Sequence, residues 1–129
     1  MMAEKLPPEA QTHVTKYQQL QNMLTQILTE KATLESELRE INRILSTLEK
    51  VGEDEELYKA VGHILVKTSK EEVRKELEEK KELLELKLKA LEKQEKEVRR
   101  QLEEVQAKLK EIIAKTYQAY EKTLRGQAG

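Results

Sequence analysis

The sequence predicts a mainly α protein: a long antiparallel two-helix coiled coil with one β-hairpin at the bend. Three observations predict it. Two long stretches repeat apolar residues at alternating spacings of three and four, the seam of a heptad helix. Between them lies one short segment, residues 57–68, that is rich in β-branched residues and loses the helical period. The composition suits long solvated helices rather than a globular core: 38% charged, 3% aromatic, no Trp and no Phe in 129 residues.

Residues 1–7 read as a flexible N-terminal tail closed by Pro7, and Pro8 fits the first turn of a helix, where its missing N–H is not needed. The first coiled-coil helix is expected over 8–51. One seam set is Ala10, Tyr17, Leu24, Lys31, Leu38 and Leu45; the other is His13, Leu20, Ile27, Leu34, Ile41 and Leu48. At ~1.5 Å per residue such a helix is about 60 Å long. Gly52 is expected to stop it by adopting a left-handed conformation.

Residues 52–68 form the next segment, an acidic loop (Glu53 to Glu56) followed by two short strands near 57–60 and 64–67 that turn around Gly62. Ile64 and Val66 fall on one face of the second strand and Leu65 on the other. Ser69 and Glu72 have the spacing of a capping box. They open a second coiled-coil helix over 69–124, with Leu77, Leu84, Leu91, Val98, Val105, Ile112 and Ala119 in one seam set. Arg74, Lys81, Leu88, Glu95, Leu102, Leu109 and Thr116 form the other. Residues 125–129 read as a short C-terminal tail.

A two-position apolar seam leaves an isolated helix incompletely buried, and the short connection makes the other helix the nearest partner. Folding about a bend near residue 60 places Leu48 near Glu72, Leu34 near Leu86 and Ala10 near Lys110. The seam charges Lys31 and Glu95 then either pair or snorkel. The hairpin is not covered by this scheme. Two strands alone in water are marginal, and open edges with aliphatic faces invite strands of other chains. It therefore reads as an oligomerisation module.

Several function classes are excluded. The formal net charge is −1 with both signs interspersed, so there is no basic stripe for nucleic acid. No stretch is long and apolar enough for a membrane helix, and no secretory leader is seen, which points to a cytoplasmic protein. There are no cysteines, and the two histidines, His13 and His63, fall at opposite ends of the expected rod. The four glycines are scattered, so no phosphate loop forms. No enzyme, cofactor or metal is expected.

The segment from Asp54 to Thr68, with its core Tyr58-Lys59-x-Val61-Gly62-x-x-Leu65-Val66-Lys67, closely resembles the beta-class subunits of prefoldin, archaeal type. Lys16-Tyr17-Gln18-Gln19-Leu20 is similar to that family's first helix, and Leu88-x-Ala90-Leu91-x-x-Gln94-Glu95 to its second. The likeness covers roughly residues 8–113; the hairpin motif is the specific part, and nothing from Lys115 onward carries it. A single hairpin matches the beta class rather than the alpha class.

This resemblance implies an ATP-independent chaperone subunit. Two alpha-class and four beta-class subunits would form a hexamer, their hairpins joined in a β-barrel platform. Unfolded client polypeptides would be held at the coiled-coil tips and delivered to a group II chaperonin. Leu57, Tyr58, Val61, Gly62, Ile64, Leu65 and Val66 would then serve assembly. Leu6, Val14, Ile112, Ile113, Tyr117 and Tyr120 would form the client-binding tip, with Leu124 beyond them. Ile112 and its neighbours are also readable as ordinary seam residues, or as groups packed on another subunit. The alternative function is a structural coiled-coil scaffold or tether that oligomerises through the hairpin. It would need a specific docking surface at the tip, where a chaperone needs loosely ordered apolar groups.

Overall fold

The structure is a computed structural model that describes residues 6–128. Its elements are α1 (Pro8–Glu49), β1 (Leu57–Val61), β2 (Ile64–Thr68) and α2 (Lys70–Ala128). Most of the expected flexible tail, residues 1–5, lies outside the described residues.

Pro8 opens α1, and the Gln11 N–H donates to the Pro7 carbonyl at 3.1 Å, closing the first turn. At the other end the expectation for Gly52 is corrected. The helix ends at Glu49, and Gly62 is the only described residue with positive φ, at 60°. Lys50 and Val51 instead donate to carbonyls three residues back, those of Thr47 and Leu48, tightening the last turn. The carbonyls left over are met from outside the helix. The Lys70 ammonium donates to Val51 O at 2.8 Å and, more weakly, to Glu49 O at 3.5 Å. A cation at a helix C-terminus also complements the helix dipole, which removes the need for a left-handed glycine.

The hairpin register pairs Leu57 with Thr68, Tyr58 with Lys67, Lys59 with Val66, Ala60 with Leu65 and Val61 with Ile64. Gly62 and His63 form the two-residue turn. Positive φ at the first of these only is the pattern of a type II′ turn, which matches the natural twist of paired strands. Leu57, Lys59, Val61, Ile64, Val66 and Thr68 share one face; Tyr58, Ala60, Leu65 and Lys67 share the other.

At the start of α2 the Ser69 hydroxyl accepts from the Glu72 N–H at 3.1 Å. The Glu72 carboxylate accepts from the Thr68 hydroxyl at 2.9 Å, so the cap also ties the end of β2 to the helix. α2 runs on through Arg125 to Ala128, a stretch the sequence suggested as tail.

The chain divides into two compact units, Met1–Leu28 with Lys93–Gly129, and Thr29–Glu92. In the second unit the hairpin accompanies an antiparallel helix pair. Ile41, Leu48, Leu84 and Leu91 are buried there, and Leu34 lines a groove with Lys87, Ala90 and Leu91. In the first unit Ala10, Leu20, Ile27, Val98, Val105 and Ile112 are buried. Ala10 lines a groove with Ile112, Ile113 and Thr116, and Leu34 lines another with Lys87, Ala90 and Leu91, while Leu86 is exposed.

Among the described residues every buried one falls at a seam position of the heptad reading. Glu95, a seam carboxylate that stays largely buried, accepts from Arg99 Nε at 2.8 Å one turn on. Among the described residues no helix is long and apolar enough to cross a membrane.

Candidate functional site

Two surfaces stand out because apolar groups that would normally be covered are not. The first is the hairpin. Val61, Ile64 and Val66 on one face and Tyr58 and Leu65 on the other are 38–72% exposed. The two strands pair only with each other, so both outer edges keep free N–H and C=O groups. Its base is fixed by polar contacts. Lys59 reaches Glu76 of α2 at 2.7 Å, Lys67 lies 3.7 Å from Glu56, and the Tyr58 hydroxyl donates to Glu56 at 3.0 Å. Leu57, Lys59 and Thr68 are half-buried at that base, while the turn end projects its aliphatic groups. Such a ribbon is held in place by its root and left unsatisfied along its length.

The second surface lies in the other unit, where α1 begins. Leu6, Pro7 and Ala10 on one side and Ile112, Ile113, Thr116, Tyr117 and Tyr120 on the other line a groove of about 490 Å³. Ile113, Tyr117 and Tyr120 are 54–62% exposed, and Leu124 follows on the same side of the helix. Of the residues the resemblance implied for binding, Leu6, Ile112, Ile113, Tyr117 and Tyr120 come together here. Val14 is half-buried and does not line the groove.

Ile112 itself is placed as an ordinary seam residue. It is 9% exposed and closes the seam against Ala10, which is fully buried. Pro7, Ala10 and Thr116 were not singled out. Ala10 stood at a seam position, which is the signal that would have placed it at the groove floor.

The apolar pattern of α2 changes phase at this point. Leu102, Val105, Leu109 and Ile112 keep the seam spacing. Beyond Ile112 the seam positions hold Thr116, Ala119 and Thr123, while the apolar series continues one residue later as Ile113, Tyr117, Tyr120 and Leu124. One residue turns about 100° around a helix. Val105, Leu109, Ile113 and Tyr117 follow one another in three successive fours where a heptad alternates threes and fours, so the stripe advances around the helix relative to the seam. The Thr116 and Thr123 hydroxyls donate to their own helix, to Ile112 O at 2.8 Å and Ala119 O at 3.0 Å. They are satisfied without any partner across the seam. The stripe therefore turns aside from the α1-facing side and stays open.

Several charges of α2 in this unit pair along the helix. Arg100 bonds Glu97 at 2.6 Å and also Glu104. The Arg100 guanidinium, with help from Gln101, holds the Glu97 carboxyl down from its ordinary 4.5 to about 2. Lys115 bonds Glu111 at 3.1 Å and likewise lowers its pKa. These are solvated i,i+3 and i,i+4 pairs. Among the described residues no cluster of three or more His, Asp or Glu is placed to hold a metal ion.

Comparison with known proteins bears on both surfaces. The family described as prefoldin subunit matches residues 11–116. A prefoldin subunit beta from Saccharolobus islandicus (strain L.S.2.15 / Lassen #1) is 53% identical over 76 residues, 59% of this chain and 60% of the relative. One from Sulfurisphaera tokodaii is also 53% identical over 76 residues, 61% of its length. The match thus spans about three fifths of these relatives. The crystal structure of the prefoldin beta subunit from Thermococcus strain KS-1 superposes with a TM-score of 0.79 at 34% identity, covering 83% of this chain and 94% of that one. The prefoldin beta2 subunit of the same organism shares the fold, with a TM-score of 0.63 at 24% identity.

Proposed function

Since this chain belongs to the prefoldin family, we propose that it is a beta-class subunit of an ATP-independent chaperone that holds unfolded polypeptides and passes them to a group II chaperonin. In this reading the subunit assembles through its hairpin, four beta-class chains with two alpha-class chains, in the cytoplasm. The hairpin's aliphatic faces and free edges support that role, because strand addition supplies hydrogen bonds to the edges and burial to the faces.

Client holding rests on a single observation: Ile113, Tyr117 and Tyr120 stand exposed together beside a groove floored by Ala10 and Ile112. Tyr rings present apolar area with a polar rim, and a wide open groove makes few demands on the sequence it receives. Such a surface suits a partner recognised by its exposed apolar groups. No nucleotide is needed for a binding step of this kind.

The test is to dilute a chemically denatured protein into buffer without ATP and follow light scattering, with the chain alone and with a candidate alpha-class subunit. Suppressed scattering that is lost when residues 111–129 are deleted, with assembly size unchanged, supports the holding role. Undiminished aggregation in the presence of a well-formed assembly would rule it out in favour of a scaffold.

A further inference from the structure

We propose that the Ile113–Tyr117–Tyr120–Leu124 stripe takes its client as an amphipathic helix with acidic flanks, laid alongside α2. The proposal deepens the holding role above and rests on it.

Spacing is the first argument. Successive residues of the stripe are four, three and four apart, which sets their centres about 4.5–6 Å apart along the helix. Side chains on one face of an extended strand recur every ~6.8 Å and slip out of step within three contacts. A second helix carrying the same spacing keeps step, as in knobs-into-holes packing. The stripe covers twelve residues from Ile113 to Leu124, about 16 Å or three turns. That length accepts three or four side chains of a partner helix.

The phase shift is the second. A stripe left over from the intramolecular seam would sit at Thr116, Ala119 and Thr123. The apolar residues are instead displaced by one position and remain 46–62% exposed, beside the groove at the start of α1. They form a helix-binding seam in their own register.

Charge selects the occupant. Residues 110–125 hold four cations (Lys110, Lys115, Lys122, Arg125) against two carboxylates (Glu111, Glu121). Lys115 is engaged by Glu111. Among the described residues Lys110, Lys122 and Arg125 have no ion-pair partner. Lys110 stands one turn before Ile113 and Arg125 directly follows Leu124, so cations bracket the stripe, with Glu121 the one carboxylate beside it. A second copy of this helix would bring like charges together, whereas acidic flanks meet them favourably.

The experiment uses the full chain in its assembled form and three fluorescein-labelled sixteen-residue peptides, read by anisotropy at low salt. One carries leucines in four-three-four spacing with Glu flanks; the second is its scramble; the third keeps the spacing but has Lys flanks. The expected result is about tenfold tighter binding of the first peptide than of either other, a difference of 1.4 kcal/mol. In a Lys110→Glu/Arg125→Glu variant the preference moves to the Lys-flanked peptide.

Equal affinity for patterned and scrambled peptides, with aggregation suppression intact, overturns the helix proposal and leaves the holding role standing. Equal affinity for Glu- and Lys-flanked peptides overturns the charge selection. Absence of both peptide binding and aggregation suppression removes the holding role, and this proposal with it.

Discussion

The Lys70 ammonium donates to the Val51 carbonyl oxygen at 2.8 Å, so the first residue of α2 caps the end of α1 across the whole hairpin insertion. The side chain is only 11% exposed, and Glu53 lies 3.8 Å away as a second, looser partner. One cation thereby fixes where α1 stops, where α2 starts and how the loop between α1 and β1 is anchored.

Replacing Lys70 by Met keeps the apolar stem and removes the charge and its donors. The expected loss is about 1–2 kcal/mol, the range for a charge-assisted bond at a helix C-terminus. Thermal unfolding followed by circular dichroism measures it. A Gly52→Ala variant, by contrast, should cost little, because Gly52 is outside the left-handed region and an added methyl group meets only the Glu55 side chain, at 3.5 Å.

Ile27→Ala opens a cavity in a buried seam and should destabilise by about 2–5 kcal/mol. Leu86→Ala, on the solvent side of α2, should stay within about 0.5 kcal/mol. Urea denaturation of the two variants gives the contrast directly.

Leu65→Asp places a charge on the open face of the hairpin. The helical signal should be unchanged, since Leu65 is exposed within the chain, while the assembly should dissociate as each subunit loses roughly 1.5–3 kcal/mol of burial. Light scattering coupled to size exclusion reads the mass. An unchanged mass would show that this face is not an assembly surface.

Glu97 titrates below its ordinary value, so its ion pair stabilises the folded chain fully above pH 4.5 and ceases to as pH falls to about 2. Arg100 stays charged throughout. A Glu97→Gln variant should therefore show a flatter fall in stability between those two pH values, with no difference from the parent near pH 2. Acid titration of the ellipticity at 222 nm checks this.

Much of the fold was legible because a heptad repeat is a periodic signal that local chemistry cannot disguise. Leu20, Ile27, Ile41 and Leu48 in α1, and Leu84 to Ile112 in α2, are buried where their spacing puts them. The hairpin was legible from Gly62 and its β-branched neighbours. Other features depend on groups distant in sequence. The stop of α1 at Glu49 is set by Lys70, which no inspection of residues 45–52 reveals. The burial of Ile112 depends on which residues of α1 reach it, here those around Ala10. The phase shift at Ile113 was present in the sequence, but it is masked there by Ile112 and Ile113 being adjacent and equally apolar.

The holding role is tested most directly by an Ile113→Ser/Tyr117→Ser/Tyr120→Ser variant, which removes exposed apolar groups while leaving the buried Ile112 and the hairpin untouched. Its assembly mass and its suppression of client aggregation are measured side by side without ATP. The account predicts a parent-like mass with suppression largely lost. Suppression equal to that of the parent, at the same mass, would contradict it.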